Sequence, residues 1–534
     1  MRNIIMTIIL LVVAVGISVM YFKNLNSPGQ RPGKVMGNIP SDAALIFEYK
    51  NDEGFYDIFN NNTLLTTLIG NDKSAELANL KANVLDNPLL QPLFEGQSLF
   101  ISVHPQTTTN DIDFLLTTSG NGNVGEVFEQ VAAQKNGKVL IHDMPLAAGK
   151  KGFTIYLNDI KRKFYLLMND DNTFSASFSQ SLVEAAAKYR NEHHEHFFVQ
   201  LSDQQNANSI ANLYVNYRQL QPFFDQLFKN KNTDIFRSFR LLFAIGAFSL
   251  NYKSDALMFN GISHINDKEP KSYLDIYRFQ QPMENKLKSI FPASLAYSLN
   301  FAVSDPLKFE QDLLQWQHEA GYDKDKKPIF DKIKKETSID LSSEFIKLLG
   351  NEFAVITTRY QEKIALIQIK NGLNLRPFMV NISHMITDDM GQFNYDKLPF
   401  YLLGDAFSIF RRPYFMIADN YLIICNSQSG MQEYYKNYTA GNFMSKNDEY
   451  SRFDNLQAER SNVSFFVNFK NASQILKEDL KPEYAKAFAD KGKGWNNYYA
   501  AAYQFTASEK DFYTNFYMRQ RMVDSAKVDT AVRR

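Results

Sequence analysis

The feature that most constrains this 534-residue chain is a weak internal repeat. The segment IPSDAALIFEY at 39–49 resembles FPASLAYSLNF at 291–301, and Pro40 matches Pro292 at an offset of 252 residues. Six further matches follow in the same order, with offsets between 248 and 255: EGQSLFISV with LGNEFAVIT, DIDFLLTTSGNG with KIALIQIKNG, FYLLMND with YFMIADN, SQS with SQS, LYVNY with FFVNF, and FSLNYKSDALMFNG with YQFTASEKDFYTNF. Because chance rarely preserves such an order, the sequence predicts two related modules.

The matched segments read as β-strands. Leu45, Phe47 and Tyr49 alternate with other residues, which is typical of a strand with one apolar face. Neighbouring segments are often strands, with helices interspersed irregularly, and this favours an α+β fold with a largely antiparallel sheet. We expect one module at 37–285, a second at 286–522 and a tail at 523–534. The alternative is a single α+β domain whose strand patterns merely resemble each other.

The N-terminus carries an uncharged apolar run, IIMTIILLVVAVGISVMYF, from Ile4 to Phe22. About 20 such residues cross a bilayer, so we expect a membrane anchor at 1–23 and a Pro- and Gly-containing tether at 24–36. The alternative is a cleaved signal peptide with its cleavage site near Ala14–Gly16. Because an N-terminal anchor usually acts as an export signal, we expect the bulk of the chain to be extracytoplasmic, on the periplasmic side.

Charge and cysteine content exclude several classes of protein. The formal net charge is zero, so the basic footprint of a nucleic-acid-binding protein is absent. Cys425 is the only cysteine, which excludes an intramolecular disulfide and a cysteine-rich zinc site. The chain carries 44 Phe and 28 Tyr residues, and such residues supply buried area in sheets.

The layout of one N-terminal span, a short tether and a long region that begins with IPSDAAL resembles a known group of proteins. It is similar to an uncharacterised family of bacterial envelope proteins, a domain of unknown function found often in Bacteroidetes. The resemblance implies a single-pass membrane protein with an extracytoplasmic region. It implies no activity and assigns no functional residues.

The stretch SGNGNVGEVF at 119–128 has the glycine spacing of a dinucleotide-binding turn, with Gly120, Gly122 and Gly125. Asp143 follows at roughly the distance expected of a ribose-binding acid. However, the preceding strand LFISV is joined to FLLTTS by the turn-like HPQTTTND, which predicts a hairpin instead of a strand–helix–strand unit.

The repeat also opposes a nucleotide site. The matching loop of the second copy, KNGLNL, keeps only Asn371-Gly372. Asn-Gly is common in turns because both residues tolerate positive φ, so we expect an ordinary turn at both positions.

Three histidines in NEHHEHFF, namely His193, His194 and His196, form a candidate metal cluster. Their spacing does not match H-E-x-x-H, and the second copy has no equivalent histidines. We therefore expect a solvated polar loop at 191–198.

The repeated SQS suggests helix caps instead of nucleophiles. Ser181 precedes Glu184 by three residues, and Ser429 precedes Gln432 by three, so each pair predicts a capping box. Cys425 lies in the apolar run YLIICN and is expected to be a buried thiol. The aromatic segments EYYKNY at 433–438 and WNNYYAAAYQF at 495–505 are expected to pack in the core, with a sugar- or peptide-binding patch as the alternative.

These observations predict a non-enzymatic, membrane-anchored envelope protein with a binding or scaffold role. They assign no catalytic, cofactor-binding or metal-binding residue and predict no cofactor. Its partners would be the membrane, through 4–22, and an envelope protein, a glycan or an apolar ligand. The alternative is a nucleotide- or metal-dependent enzyme that uses the Gly-rich loop 120–125 or the histidine cluster 193–196.

Overall fold

The computed structural model describes most of the chain after the tether. The described residues are 35–53, 55–56, 71–106, 111–121, 124–133, 139–146, 149–169, 172–189, 209–230, 242–489 and 495–522. No helix within these ranges combines the length and apolar character needed to cross a membrane. The apolar run at 4–22, Gly122 and the histidine cluster 193–196 lie outside the described residues.

The chain folds as an α+β protein with a largely antiparallel sheet, as the sequence predicts. Twenty strands of the described residues form this one continuous sheet, instead of a separate sheet for each expected module. The first ten are β1 Leu45–Lys50, β2 Ser98–Gln106, β3 Asp111–Ser119, β4 Val139–Pro145, β5 Lys151–Leu157, β6 Arg162–Met168, β7 Thr173–Ser177, β8 Ala211–Asn216, β9 Ala244–Lys253 and β10 Ala256–Ile265. They pair in the order β4-β5-β6-β7-β3-β2-β1-β8-β9-β10.

The other ten strands extend this sheet from β10. They are β12 Leu295–Ala302, β13 Leu349–Thr358, β14 Lys363–Ile369, β15 Ser383–Met385, β16 Met390–Phe393, β17 Tyr414–Ala418, β18 Tyr421–Cys425, β20 Val463–Asn468, β21 Tyr498–Ser508 and β22 Asp511–Gln520. From β10 the pairing continues as β22-β21-β20-β12-β13-β14-β18-β17-β16-β15. The order of the first ten strands therefore recurs, reversed, in the last ten. A separate two-stranded sheet pairs β11 Met283–Glu284 with β19 Arg460–Ser461.

Helices cover both faces of the sheet. The α-helices are α1 Asn71–Leu80, α2 Gln91–Phe94, α3 Val124–Ala133, α4 Gln180–Lys188, α5 Tyr217–Leu227, α6 Pro306–Glu319, α7 Asp323–Thr337, α8 Leu341–Leu348, α9 Gly372–Ile382, α10 Leu398–Leu403, α11 Gln428–Thr439, α12 Asp448–Asp454, α13 Phe469–Asp479 and α14 Pro482–Ala489. A π-helix spans Lys81–Leu85, and 3-10 helices span Tyr273–Phe279, Leu287–Ile290, Asp405–Phe407, Met444–Lys446 and Trp495–Asn497.

Local sequence explains several helix starts. Asp305 accepts hydrogen bonds from the backbone N–H groups of Leu307 and Lys308, with Pro306 at the first position of α6. Asn468 ends β20, and its side chain accepts a hydrogen bond from the N–H of Asn471. This cap lets α13 begin directly after the strand. These side chains satisfy backbone donors that have no partner inside the helix.

The two faces of the sheet are packed differently. On the first, which we call the common face, one hydrophobic core contains side chains from both sets of ten strands, such as Phe153 and Phe353. On the opposite, divided face there are three separate clusters: one under residues 35–43, one under α4, and one under α11 and α12. The common core therefore joins the two sets of strands, whereas the divided face leaves a polar strip between its clusters.

A row of polar side chains runs straight across the middle of the divided face. Its eight members are directly paired neighbours on successive strands and lie in the order Glu48, Asn212, Ser249, Asn260, Asn515, Gln504, Ser464 and Asn300. At one end, the Glu48 carboxylate accepts hydrogen bonds from Tyr214 at 2.7 Å and Asn212 at 3.1 Å. At the other end, the buried Asn300 Oδ1 has no partner among the described residues.

Candidate functional site

A polar pocket of about 390 Å³ opens where the start of β13, the end of β14 and the β17–β18 hairpin meet. This volume lies within the usual range for small-molecule sites, about 300–1,000 Å³. The side chains and backbone that line it are Gly350, Asn351, Gln368, Ile369, Lys370, Asp419, Asn420 and Tyr421.

An irregularity in β13 shapes the floor of the pocket. The strand register shifts between Leu349 and Phe353. A Cβ atom on Gly350 would lie 2.8 Å from the Gln368 carbonyl oxygen, so only glycine allows this approach. The Gln368 side chain fixes the irregular segment, because its Oε1 accepts from the Asn351 N–H at 3.1 Å, while the Asn351 amide donates to the Val303 carbonyl at 2.8 Å. The floor is therefore a built, hydrogen-bonded feature.

Two opposite charges stand at the rim without neutralising each other. The Lys370 ammonium donates to the Lys347 carbonyl at 3.1 Å, and the Asp419 carboxylate accepts from the Tyr438 hydroxyl. Both partners are uncharged, and within the described part of the chain neither residue forms an ion pair. Burial, together with the charges of Glu352 and Asp419, raises the pKa of Tyr421, so this phenol stays neutral. The pocket thus offers one cation, one anion and neutral polar groups.

At the matching place among the first ten strands, the described polar groups are engaged in hydrogen bonds within the protein. There, β2, β3 and the β6–β7 region take the positions of β13, β14 and the β17–β18 hairpin. Gln97 accepts from Ser119 at 2.6 Å and donates to Asn121 at 2.9 Å, while Asn172 donates to the Gly120 carbonyl at 2.6 Å. These bonds engage Gln97, Ser119, Asn121 and Asn172 within the protein, and all four side chains are uncharged.

The Gly-rich stretch is not part of a dinucleotide-binding unit. β3 ends at Ser119 and pairs antiparallel with β2 and β7, which confirms the predicted hairpin. Asp143 lies in β4, three strands further along the sheet from β7, and pairs with Phe153 of β5. A dinucleotide fold needs adjacent parallel strands joined by a helix, and this arrangement does not supply them.

The expected turn at Asn371-Gly372 is wrong. Asn371 is extended at φ −153° and caps α9 by accepting from the Leu373 N–H. Gly372 is the first residue of α9, and a Cβ there would lie 1.9 Å from the Asp419 carbonyl oxygen. Glycine is therefore required by close packing and not by positive φ.

The predicted helix caps are displaced by two residues. Helix α4 begins after Ser179 and α11 after Ser427, so Ser181 and Ser429 lie within the first turns. Ser427 accepts from the Gly430 N–H at 3.0 Å, but no capping box forms with Glu184 or Gln432. The first serine of each SQS, with extended φ and ψ, is the N-cap because the second is already helical.

A Ser-His-Asp array, absent from the sequence predictions, links β2 to the segment before β1. His104 Nε2 lies 2.8 Å from Ser102 Oγ, and His104 Nδ1 lies 2.8 Å from Asp42 Oδ1. The signal for the first pair was present, since alternate residues of a strand share a face. Burial acts to raise the pKa of Asp42, but the hydrogen bond and charge of His104 outweigh it and hold the pKa below its usual value.

This array has the residue types of a hydrolase triad without the access that catalysis needs. Ser102 and His104 are both 0% exposed. The Ser102 hydroxyl also donates to the Leu115 carbonyl at 3.2 Å, so its proton is engaged by the backbone. The array therefore serves as a buried clasp that holds the residues before β1 on the divided face.

The remaining candidates from the sequence are Cys425 and the aromatic segments 433–438 and 495–505. Cys425 is buried at the end of β18, as predicted, and burial raises the pKa of its thiol. Tyr434 and Tyr498 pack in the cores, whereas Tyr435 is exposed. Within the described ranges, no group of three or more His, Cys, Asp or Glu residues is arranged to hold a metal ion. Comparison of the chain with protein-family models, curated proteins and solved structures yields no match.

Proposed function

We propose that this chain is a non-enzymatic, membrane-anchored binding or scaffold protein of the cell envelope. The open polar pocket at β13, β14 and the β17–β18 hairpin is the observation that carries the binding role. Its Lys370 and Asp419 have no counter-charge among the described residues, whereas Gln97, Ser119 and Asn121 at the matching place in the first ten strands are uncharged and bond to one another. Polar groups that are not satisfied internally, in a pocket of ligand size, favour recognition of a polar partner.

We further infer that the chain consists of two related modules. Support comes from strand register: Leu45 pairs with Val215, and Tyr297, 252 residues beyond Leu45, pairs with Val467, 252 residues beyond Val215. The offset of 252 is the one that Pro40 and Pro292 show in the sequence. Pairing and sequence thus favour the same alignment of the two halves.

We place the membrane anchor at residues 4–22 and the bulk of the chain on the periplasmic side, on the strength of the apolar run. A phosphatase fused to the C-terminus tests this topology. The periplasmic orientation requires an active phosphatase fusion. An inactive fusion would place the bulk of the chain on the cytoplasmic side.

The binding role is tested by cross-linking the full-length anchored protein to its neighbours in intact cells. We expect a partner or ligand to be retained by the wild type and lost from a Lys370→Met/Asp419→Asn variant that keeps the wild-type melting temperature. Exposed Lys335→Met serves as the control, since Lys335 does not line the pocket. A zinc- or NAD-induced rise in melting temperature that is lost on His194→Ala or Gly125→Val would instead favour the enzyme alternative.

A further inference from the structure

The polar groups that line the pocket described above form two sets, one of donors and one of acceptors. Gln368 Oε1 accepts from the Asn351 N–H, and Asn420 Oδ1 accepts from the Gly372 N–H at 3.1 Å. Because backbone N–H groups can only donate, these bonds fix which end of each carboxamide carries the oxygen. The amide nitrogens of both side chains have no hydrogen-bond partner among the described residues. With the Lys370 ammonium, they form a set of three donors.

The set of acceptors consists of Asp419 and Asn351. Asp419 uses one carboxylate oxygen, Oδ2, for the Tyr438 hydroxyl, and its other oxygen has no hydrogen-bond partner among the described residues. The Asn351 amide nitrogen donates to the Val303 carbonyl, which leaves its Oδ1 as an acceptor. Donors that include a cation favour a carboxylate, and acceptors that include an anion favour an ammonium group.

From this division we propose that the pocket binds a small zwitterion that carries both an ammonium and a carboxylate group, as a free amino acid or a short peptide does. Lys370, Gln368 and Asn420 would receive the carboxylate, and Asp419 and Asn351 the ammonium group. Tyr421, kept neutral by its raised pKa, lines the same pocket. This inference rests on the binding role proposed above and names its ligand class.

The matching place among the first ten strands supports this assignment. Gln97 there uses both ends of its carboxamide within the protein, toward Ser119 and Asn121. The Asn121 N–H donates to the Leu93 carbonyl as the Lys370 N–H donates to the Leu348 carbonyl, so Asn121 stands at the place of Lys370 and the cation is absent. The donor set is thus complete only in the second half of the chain.

Isothermal titration calorimetry on the full-length protein in detergent micelles tests the proposal. The probes are alanine and alanylalanine as zwitterions, N-acetyl-alanylalanine without the ammonium group, and alanylalanine amide without the carboxylate. We expect at least one zwitterion to bind about tenfold or more tightly than either blocked peptide, because hydrogen bonds to charged groups are the stronger ones. Equal affinity for all probes, or no binding of either zwitterion, would overturn the proposal. Alanine and alanylalanine distinguish a free amino acid from a peptide as the ligand.

Two charge variants assign the roles. Lys370→Met should abolish the preference for alanylalanine over its amide, and Asp419→Asn should abolish the preference over the acetylated peptide. Asparagine suits this test because Asp419 has φ 49°, a conformation that asparagine tolerates. Lys335→Met, which removes an exposed lysine of α7 outside the pocket, should leave every affinity unchanged. If both pocket variants keep the wild-type preferences, the assignment is wrong.

The outcome for this ligand class is separable from that of the binding role. If cross-linking in cells yields a partner that depends on the pocket while both zwitterions fail to bind, the binding role stands and the zwitterion is rejected. If zwitterions bind but no macromolecule is captured, the pocket serves small molecules. Loss of both signals would reject the binding role and the ligand together.

Discussion

Asn260 and Asn515 lie directly opposite each other on β10 and β22, and the Asn260 carboxamide donates to that of Asn515. They also hold equivalent positions in the strand pairing, since the hairpin pairs Leu250–Phe259 and Phe505–Thr514 are separated by the same 255 residues. The point where the two sets of strands join is therefore the point about which their order is reversed. Asn260 and Asn515 therefore pair across this junction, at the centre of the polar row.

Asn515→Leu should destabilise the protein by about 1–3 kcal/mol, because it leaves the Asn260 carboxamide without its acceptor next to a buried site. Asn515 is 3% exposed, so water cannot readily replace the lost bond. Urea unfolding measured by circular dichroism checks this value.

The double variant Asn260→Leu/Asn515→Leu supplies the control for that bond. Replacing both partners by apolar groups removes the unpaired amide, so the double variant should be more stable than the sum of the single variants predicts. Strictly additive losses would mean that the two carboxamides do not depend on each other.

Ser427→Ala should lower the free energy of unfolding by about 1 kcal/mol, since Ser427 caps α11. Ser429→Ala is the matched control two residues along the same helix, where the exposed serine is not the cap, and its effect should stay within about 0.5 kcal/mol. Chemical denaturation of the two variants side by side measures the difference. A larger loss for Ser429→Ala than for Ser427→Ala would place the cap at Ser429, as the sequence pattern alone suggested.

Gly372→Ala should destabilise the protein by about 1–3 kcal/mol, because the new methyl group would overlap the Asp419 carbonyl. The overlap is with backbone atoms of the β17–β18 turn, which cannot rotate away as a side chain can. Asn374→Ala, on the exposed side of the same helix, should be nearly neutral. The two melting temperatures, measured by calorimetry, decide between crowding and a general sensitivity of α9.

Local pattern was sufficient for the strands and hairpins, but not for the sites. The alternation of Leu45 and Phe47 and the apolar run before Cys425 correspond to β1 and β18, because each depends only on neighbouring residues. The pattern S-x-x-E/Q placed the caps two residues too late, since SQS contains two serines and only backbone conformation separates them. The pocket was not predictable, because Gly350, Gln368 and Asn420 come from three separate elements that strand pairing brings together.

The clasp between Asp42 and His104 should make stability depend on acid pH. Because the pKa of Asp42 is lower in the folded protein than in the unfolded chain, its ionised form stabilises the fold at pH values above the unfolded pKa, about 3.9. That contribution is lost as the pH falls through the lower, folded pKa. Asp42→Asn should therefore reduce stability at pH 7 by less than about 1 kcal/mol, since the carboxylate is partly exposed and screened.

Unfolding by urea at pH 7 and at successively lower pH values checks this prediction. The difference between wild type and Asp42→Asn should be present at pH 7 and shrink below pH ~3.9 as the wild-type carboxylate becomes protonated. Asp388→Asn removes one exposed negative charge that lies outside the clasp and controls for the change in net charge. A wild-type advantage that stays constant into strong acid would show that the Asp42 side chain acts through packing, because the ionised clasp requires the advantage to vanish.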